Sequence, residues 1–167
     1  LQPDSAEYYD YAAPLARSHA LDLLELVSGD GAIVSSAEWP ARFGYKEEWL
    51  TPGEDWNQRG AFLRRQELEQ RVTLALVAVG IAAEGERKLY VVGGQELDRE
   101  FLGTLVLPEG MRVLLYRNLE EQFSPADLIG ASGPAAHAEL LRPLIERVQG
   151  QRREVTTTMG SGAEAES

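Results

Sequence analysis

The chain contains no cysteine. A disulfide framework, a thiol nucleophile and a cysteine-rich zinc site are therefore all excluded. Histidine is nearly as scarce. His19 and His137 are the only two, and neither has a second histidine or a carboxylate at metal-ligand spacing with a strong motif around it. Positive charge is also in short supply, with 16 basic residues against 27 acidic ones and a formal net charge of −11. That balance argues against a nucleic-acid partner, which needs a basic face, and against attraction to anionic lipid. No apolar run reaches the roughly 18 residues of a membrane-spanning helix, and the N-terminus carries no signal-peptide pattern. Phosphate-binding loops are missing too. Gly93-Gly94 follows a strand-like run but lies in no GxGxxG or GK[ST] context, so it reads as a strand end or bulge. No G-x-S-x-G elbow is present. The many carboxylates, Glu47-Glu48 among them, read as acidic surface. Arg142, Arg147, Arg152 and Arg153 read as the wet face and end of a last helix.

What is present is a core. Hydrophobic residues make up 44% of 167 residues, enough for one domain with tails. The organising stretch is Val72–Leu97. Val72–Ala83 is almost wholly apolar and rich in β-branched residues, Glu84–Arg87 interrupts it with charge and a glycine, and Leu89–Val92 resumes it. A strand apolar on both faces belongs mid-sheet, and the short glycine-containing link predicts a hairpin. Leu21–Ser36 predicts a second hairpin around Asp30-Gly31, with Leu21, Leu23 and Val27 on one face and Leu24 and Leu26 on the other. Phe62–Leu68 predicts a strand that points Arg64 and Arg65 to opposite faces.

Helical spacing predicts a first helix from about Ser5 to Ser18. Asp4 and Glu7 are at capping-box distance, Pro14 should kink it, and Tyr8, Tyr9 and Tyr11 should pack on the sheet. Asp98–Leu105 predicts a short helix capped by Asp98. Pro108–Gly110 is a turn, Met111–Arg117 a strand, and 118–132 mostly loop anchored by Phe123 and Leu128-Ile129. Pro134–Gln149 predicts a last helix, kinked at Pro143 and stopped by Gly150. Its stripe is Leu140, Leu141, Leu144, Ile145 and Val148. Glu154–Thr158 predicts the start of a final strand, and 159–167 a mobile polar tail. The element order predicts an α+β domain on an antiparallel sheet over 1–158.

The segment 37–60 differs in character. It holds all three tryptophans, Trp39, Trp49 and Trp56, together with Phe43 and Tyr45. No regular period runs through it apart from one helical turn at Glu47–Leu50. Its length suggests a lid or binding loop, and its aromatic load argues against disorder. An ordered lid closing on a sheet would make a largely apolar pocket with a few placed polar groups. Arg42 would then be available to a ligand carboxylate. In the competing reading the tryptophans form the lid's own core.

Four stretches carry a family resemblance: LDLLELVSGDGAIVSSAEWPARFGY, VTLALVAVGIAAEGERKLYVVGGQELDREFL, GMRVLLYRN, and the last helix with REVTTT. Together they resemble the extracytoplasmic sensor domains of bacterial membrane-bound histidine kinases, of the Cache or PAS-like type. The resemblance implies a PAS-like, single-Cache antiparallel sheet flanked by an N-terminal helix and connecting helices. It implies a soluble domain on the periplasmic side of the inner membrane, between two membrane spans, passing a signal to a cytoplasmic kinase module. A ligand would lie between the sheet and the segment 37–60. Such domains add closing strands beyond the position of Thr158, where this chain has no apolar run. With its start at Leu1, it reads as an excised fragment. The site expected from location and chemistry is Trp39, Arg42, Tyr45 and Trp56 from the lid, with Tyr90, Tyr116 and Arg117 from the sheet. No metal, cofactor or catalytic residue is expected. The partners are a small-molecule ligand and a possible second copy of the chain. A homodimerisation module without a pocket is the alternative, and a small enzyme the remote one.

Overall fold

The computed structural model of the chain describes residues 10–50, 53–68 and 71–157. Within them the protein is an α+β fold built on a five-stranded antiparallel sheet, with three α-helices. Strands β1 (Leu23–Ser28) and β2 (Ile33–Ser36) form the first hairpin, around the left-handed Gly31. At its turn the Asp30 carboxylate accepts from Lys46 at 2.6 Å and from the Ser28 hydroxyl. Those bonds, Lys46 first, lower its pKa to about 2. Strand β3 (Phe62–Leu68) leads into the long hairpin of β4 (Arg71–Glu84) and β5 (Arg87–Glu96). The sheet order is β2-β1-β5-β4-β3, so β5 is central and the first hairpin joins through β1.

The two faces are covered differently. On the front, Leu23, Val27, Val77, Val79, Tyr90 and Val92 pack against Leu50 and Trp56 of the 37–60 segment. On the back, helix α1 (Ala12–Ser18) lays Ala12 and Ala16 on Leu24 and Leu26. Small helix residues allow that close approach. Leu21 joins this back cluster, not the face of Leu23 and Val27, because it precedes β1 and is not bound by its alternation. A bulge opposite Leu26 and Val27 inserts an extra residue in β2. Val34 consequently packs in the back cluster, and Ser35 Oγ accepts from the Ala12 N–H at 3.1 Å.

Several boundaries depart from expectation. In the described part, α1 begins two residues before Pro14. The proline therefore sits in the first turn, where its missing N–H costs no bond and no kink follows. Asp4, Glu7, Tyr8 and Tyr9 lie outside the described residues, and Tyr11 is half exposed. Gly93 and Gly94 fall inside β5, neither at its end nor in a bulge. Of 111–117 only Leu115–Tyr116 pairs, as β6. It forms a small sheet with β7 (Leu128–Gly130) and β8 (Gly133–Pro134). Helix α2 (Arg99–Thr104) is capped as expected, with Asp98 Oδ1 accepting from the Phe101 N–H at 2.9 Å. Helix α3 (Ala138–Gln151) starts four residues later than Pro134, which is taken into β8, and it continues past Pro143 and Gly150 to a left-handed Arg152. Leu140 and Val148 are exposed, leaving Leu141, Leu144 and Ile145 half-buried. Residues 154–157 form no strand; Thr158 and the tail 159–167 lie outside the described residues.

Gly94 is required by contact. A Cβ there would come within 2.5 Å of the Leu76 carbonyl oxygen and 2.9 Å of Val77 Cγ1. At Gly80 the nearest atom would be 4.0 Å away. Gly94→Ala should cost about 1–3 kcal/mol by overpacking, while Gly80→Ala stays within about 0.5 kcal/mol of wild type. Urea unfolding of the two variants checks this; equal midpoints would refute the contact argument.

Candidate functional site

The described residues of the 37–60 segment, 37–50 and 53–60, form a cover on the front of the sheet. It is stitched along the outer edge of the first hairpin by backbone bonds. The Ile33 N–H donates to the Tyr45 carbonyl, the Gly44 N–H to that of Ile33, and the Glu47 N–H to that of Gly31. A turn at Glu47–Leu50 then drops Leu50 into the core. Trp49, Trp56 and Phe62 pack edge-on or tilted, with ring centroids 5.6 to 6.0 Å apart. Such pairs contribute about 0.5–1.5 kcal/mol each beyond their buried area. Two of the three tryptophans thus serve the lid's own packing.

Where the cover meets the sheet, four charged side chains form a row. Glu25 stands on the front of β1 and is only 2% exposed. Its Oε1 accepts from Arg42 Nη1 at 3.3 Å. Arg42 Nη2 donates to Glu47 Oε1 at 2.5 Å, and Glu47 Oε2 accepts from Arg64 Nη2 at 2.8 Å. The Trp49 indole N–H also donates to Glu47 Oε2. The Arg64 guanidinium lies over the Trp49 ring, 4.4 Å from its centroid. Two lid residues, Arg42 and Glu47, therefore stand between one residue from β1 and one from β3. Sequence alone placed Arg64 and Arg65 on opposite faces, and the side chains do differ, 18% against 53% exposed.

A cleft of about 330 Å³ opens beside this row, lined by Glu25, Glu38, Trp39, Arg42, Tyr45 and Arg64, and by residues 65–67 at the sheet edge. Of the expected site residues, Trp39, Arg42 and Tyr45 line it. Trp56 and Tyr90 are each 2% exposed and belong to the core beneath. Tyr116 and Arg117 lie on the small sheet. There Tyr116 stacks on Phe123 and Arg117 pairs with Asp127 at 3.3 Å. Arg42 is committed to Glu25 and Glu47, so it is not the free carboxylate partner that sequence suggested. Glu25, Glu38, Glu47 and Arg64 were not anticipated as site residues. The available signal was Glu25 at an inward position of an otherwise apolar strand, LLELV.

Burial governs the acids. It raises the Glu25 carboxyl, and neighbouring Glu47 adds to the rise against the pull of Arg42 and Arg64. Burial also lifts Glu38 to about 7, opposed by the bond its Oε1 accepts from the Leu24 N–H at 2.8 Å. Among the described residues no group of three His, Asp or Glu side chains is arranged to hold a metal ion, and no helix is long and apolar enough to cross a membrane. No family model matches the chain, and no curated protein matches its sequence.

Two outcomes follow from this geometry. Glu47→Ala leaves Arg42 and Arg64 without their shared partner. It should cost about 3 kcal/mol, at the low end for a buried pair because both arginines keep some access to water; denaturant unfolding measures it. Folded Glu38 holds its proton up to about 7, whereas its ordinary value is 4.5. The unfolded chain then binds fewer protons between those values, so stability falls as pH rises from about 4.5 to about 7 and levels off above. Glu25 contributes with the same sign. Melting temperatures from pH 5 to 8 should show this decline, reduced in Glu38→Gln; an unchanged slope in that variant would remove Glu38 as its source.

Proposed function

We propose that this chain is a PAS-like, single-Cache sensory input domain of a bacterial signal-transduction histidine kinase, binding a small ligand on the extracytoplasmic side of the membrane. The observation that carries the reading is the cleft between the 37–60 cover and the front of the sheet. That is where the resemblance implies a ligand, and Trp39, Arg42 and Tyr45 stand at it. The volume lies near the lower end of small-molecule sites, and the lining is mainly charged and polar, with Trp39 and Tyr45 as its aromatic surface. In the parent protein the domain would be held by membrane spans outside it and would signal through its terminal elements.

One observation favours a second reading, a homodimerisation module. Helix α1 covers the β1–β5 part of the back face, while on β3 and β4 Leu63, Ala78 and Gly80 remain exposed. Leu63 is 60% exposed. Pairing of two copies through this surface would bury it.

Titration calorimetry with amino acids, organic acids and purines, read alongside tryptophan emission, tests the ligand reading. A saturable heat with a change in emission is expected. Absence of both from a folded protein would sink the small-ligand version. Sedimentation at micromolar concentration decides the second reading: a dimer that Leu63→Lys dissociates supports it, and a monomer throughout rejects it.

A further inference from the structure

The row Glu25–Arg42–Glu47–Arg64 ends in two unsatisfied atoms. Glu25 Oε2 and Arg64 Nη1 are both buried, and neither has a hydrogen-bond partner among the described residues. Both residues line the same cleft. The inner atoms of the row are matched: Glu25 Oε1 with Arg42, both Glu47 oxygens, and Arg64 Nη2. Buried polar groups without partners are costly, so a pair of them on one cleft marks where a bound group completes the network.

Resting on the ligand-binding reading above, we propose that the cleft takes a small uncharged ligand that presents both a hydrogen-bond donor and a hydrogen-bond acceptor, of the class of an amide, urea, lactam or nucleobase. An ionised Glu25 can only accept and Arg64 can only donate. A ligand closing the row must therefore donate at one end and accept at the other. The row's charges already cancel, two carboxylates against two guanidiniums, so the ligand need bring no net charge into a partly dry site. A simple carboxylate would satisfy Arg64 but set oxygen against Glu25 Oε2. A simple ammonium would do the reverse. The half-buried Trp39 ring, approached by Arg42 at 5.9 Å, lines the same cleft and gives a flat ligand an aromatic surface.

The test is an NMR titration of the isotope-labelled chain at pH 8, following its three tryptophan indole N–H resonances, one per tryptophan. That of Trp49 bonds Glu47 and lies under Arg64, so it reports on the row. Uracil and 2-pyrrolidinone should each shift it saturably, and acetate and methylamine should not. Glu25→Gln keeps the shape but turns an amide N–H₂ toward the cleft when its oxygen stays on Arg42. This variant should lose about tenfold or more in affinity for uracil, the scale of one hydrogen bond to a charged group. It should also gain a saturable response to acetate, because the two ends are then both donors. The dispersed resonances of Trp39 and Trp56 verify that the variant is folded. Stronger binding of acetate than of uracil by the wild type, or uracil affinity unchanged in Glu25→Gln, overturns this ligand class and leaves ligand sensing standing. No response to either amide probe also overturns it, while the broader calorimetric panel judges the sensing reading separately.

Discussion

The arrangement of the front face depends on one interaction, the grip of the Glu47 carboxylate on two guanidiniums. Glu47 lies in a segment with little regular structure of its own, and it is 4% exposed. A carboxylate buried that deeply has to be paired. The pairing brings together Arg42 from the same cover and Arg64 from the far edge strand. The aromatic cluster of Trp49, Trp56 and Phe62 then fills the space beside it. Apolar packing supplies the bulk of the cohesion, but it is not directional. The ion pairs set where the cover lands, and so where the cleft opens.

Much of the sheet was legible because its chemistry is local. Val72–Ala83 is too β-branched for a helix, and it became the β4 half of the central hairpin, although its back face is left open at Ala78 and Gly80 instead of being covered on both sides. Asp30-Gly31 marked the turn of the first hairpin, Asp98 the cap of α2, and Phe62–Leu68 the strand β3. The failures came where tertiary partners decide. Residues 111–114 look like β4 in composition, yet among the described residues they find no neighbouring strand and stay unpaired. Gly93-Gly94 looked like an ending, but the close approach of Leu76 and Val77 from β4 and of Leu23 from β1 requires glycine at Gly94 in mid-strand. Pro143 looked like a break, and α3 runs through it on a surface where few contacts enforce its line.

The cleft was legible by half. Aromatic and basic residues in a long irregular segment pointed to Trp39, Arg42 and Tyr45 at the boundary with the sheet. Trp56 and Tyr90 could not be told from lining residues, because an aromatic ring serves a core and a pocket equally well. The acids were invisible for the opposite reason. In a chain with 27 carboxylates, nothing local distinguishes Glu47 from exposed Glu48 beside it. Only the position of the two arginines in space does so, and one of them comes from another strand.

The bulge in β2 has a mechanical meaning. The extra residue puts the sequence neighbours Val34 and Ser35 both on the back, where Val34 packs in the cluster and Ser35 accepts from the first residue of α1. Ordinary alternation then turns Ser36 to the front, where it donates to Glu25 at 3.4 Å. The helix and the cleft wall are therefore separated by one peptide bond. At this point the sheet serves as a hinge pin between its two faces, and any shift of Glu25 that drags Ser36 has to be taken up by the seat of the helix.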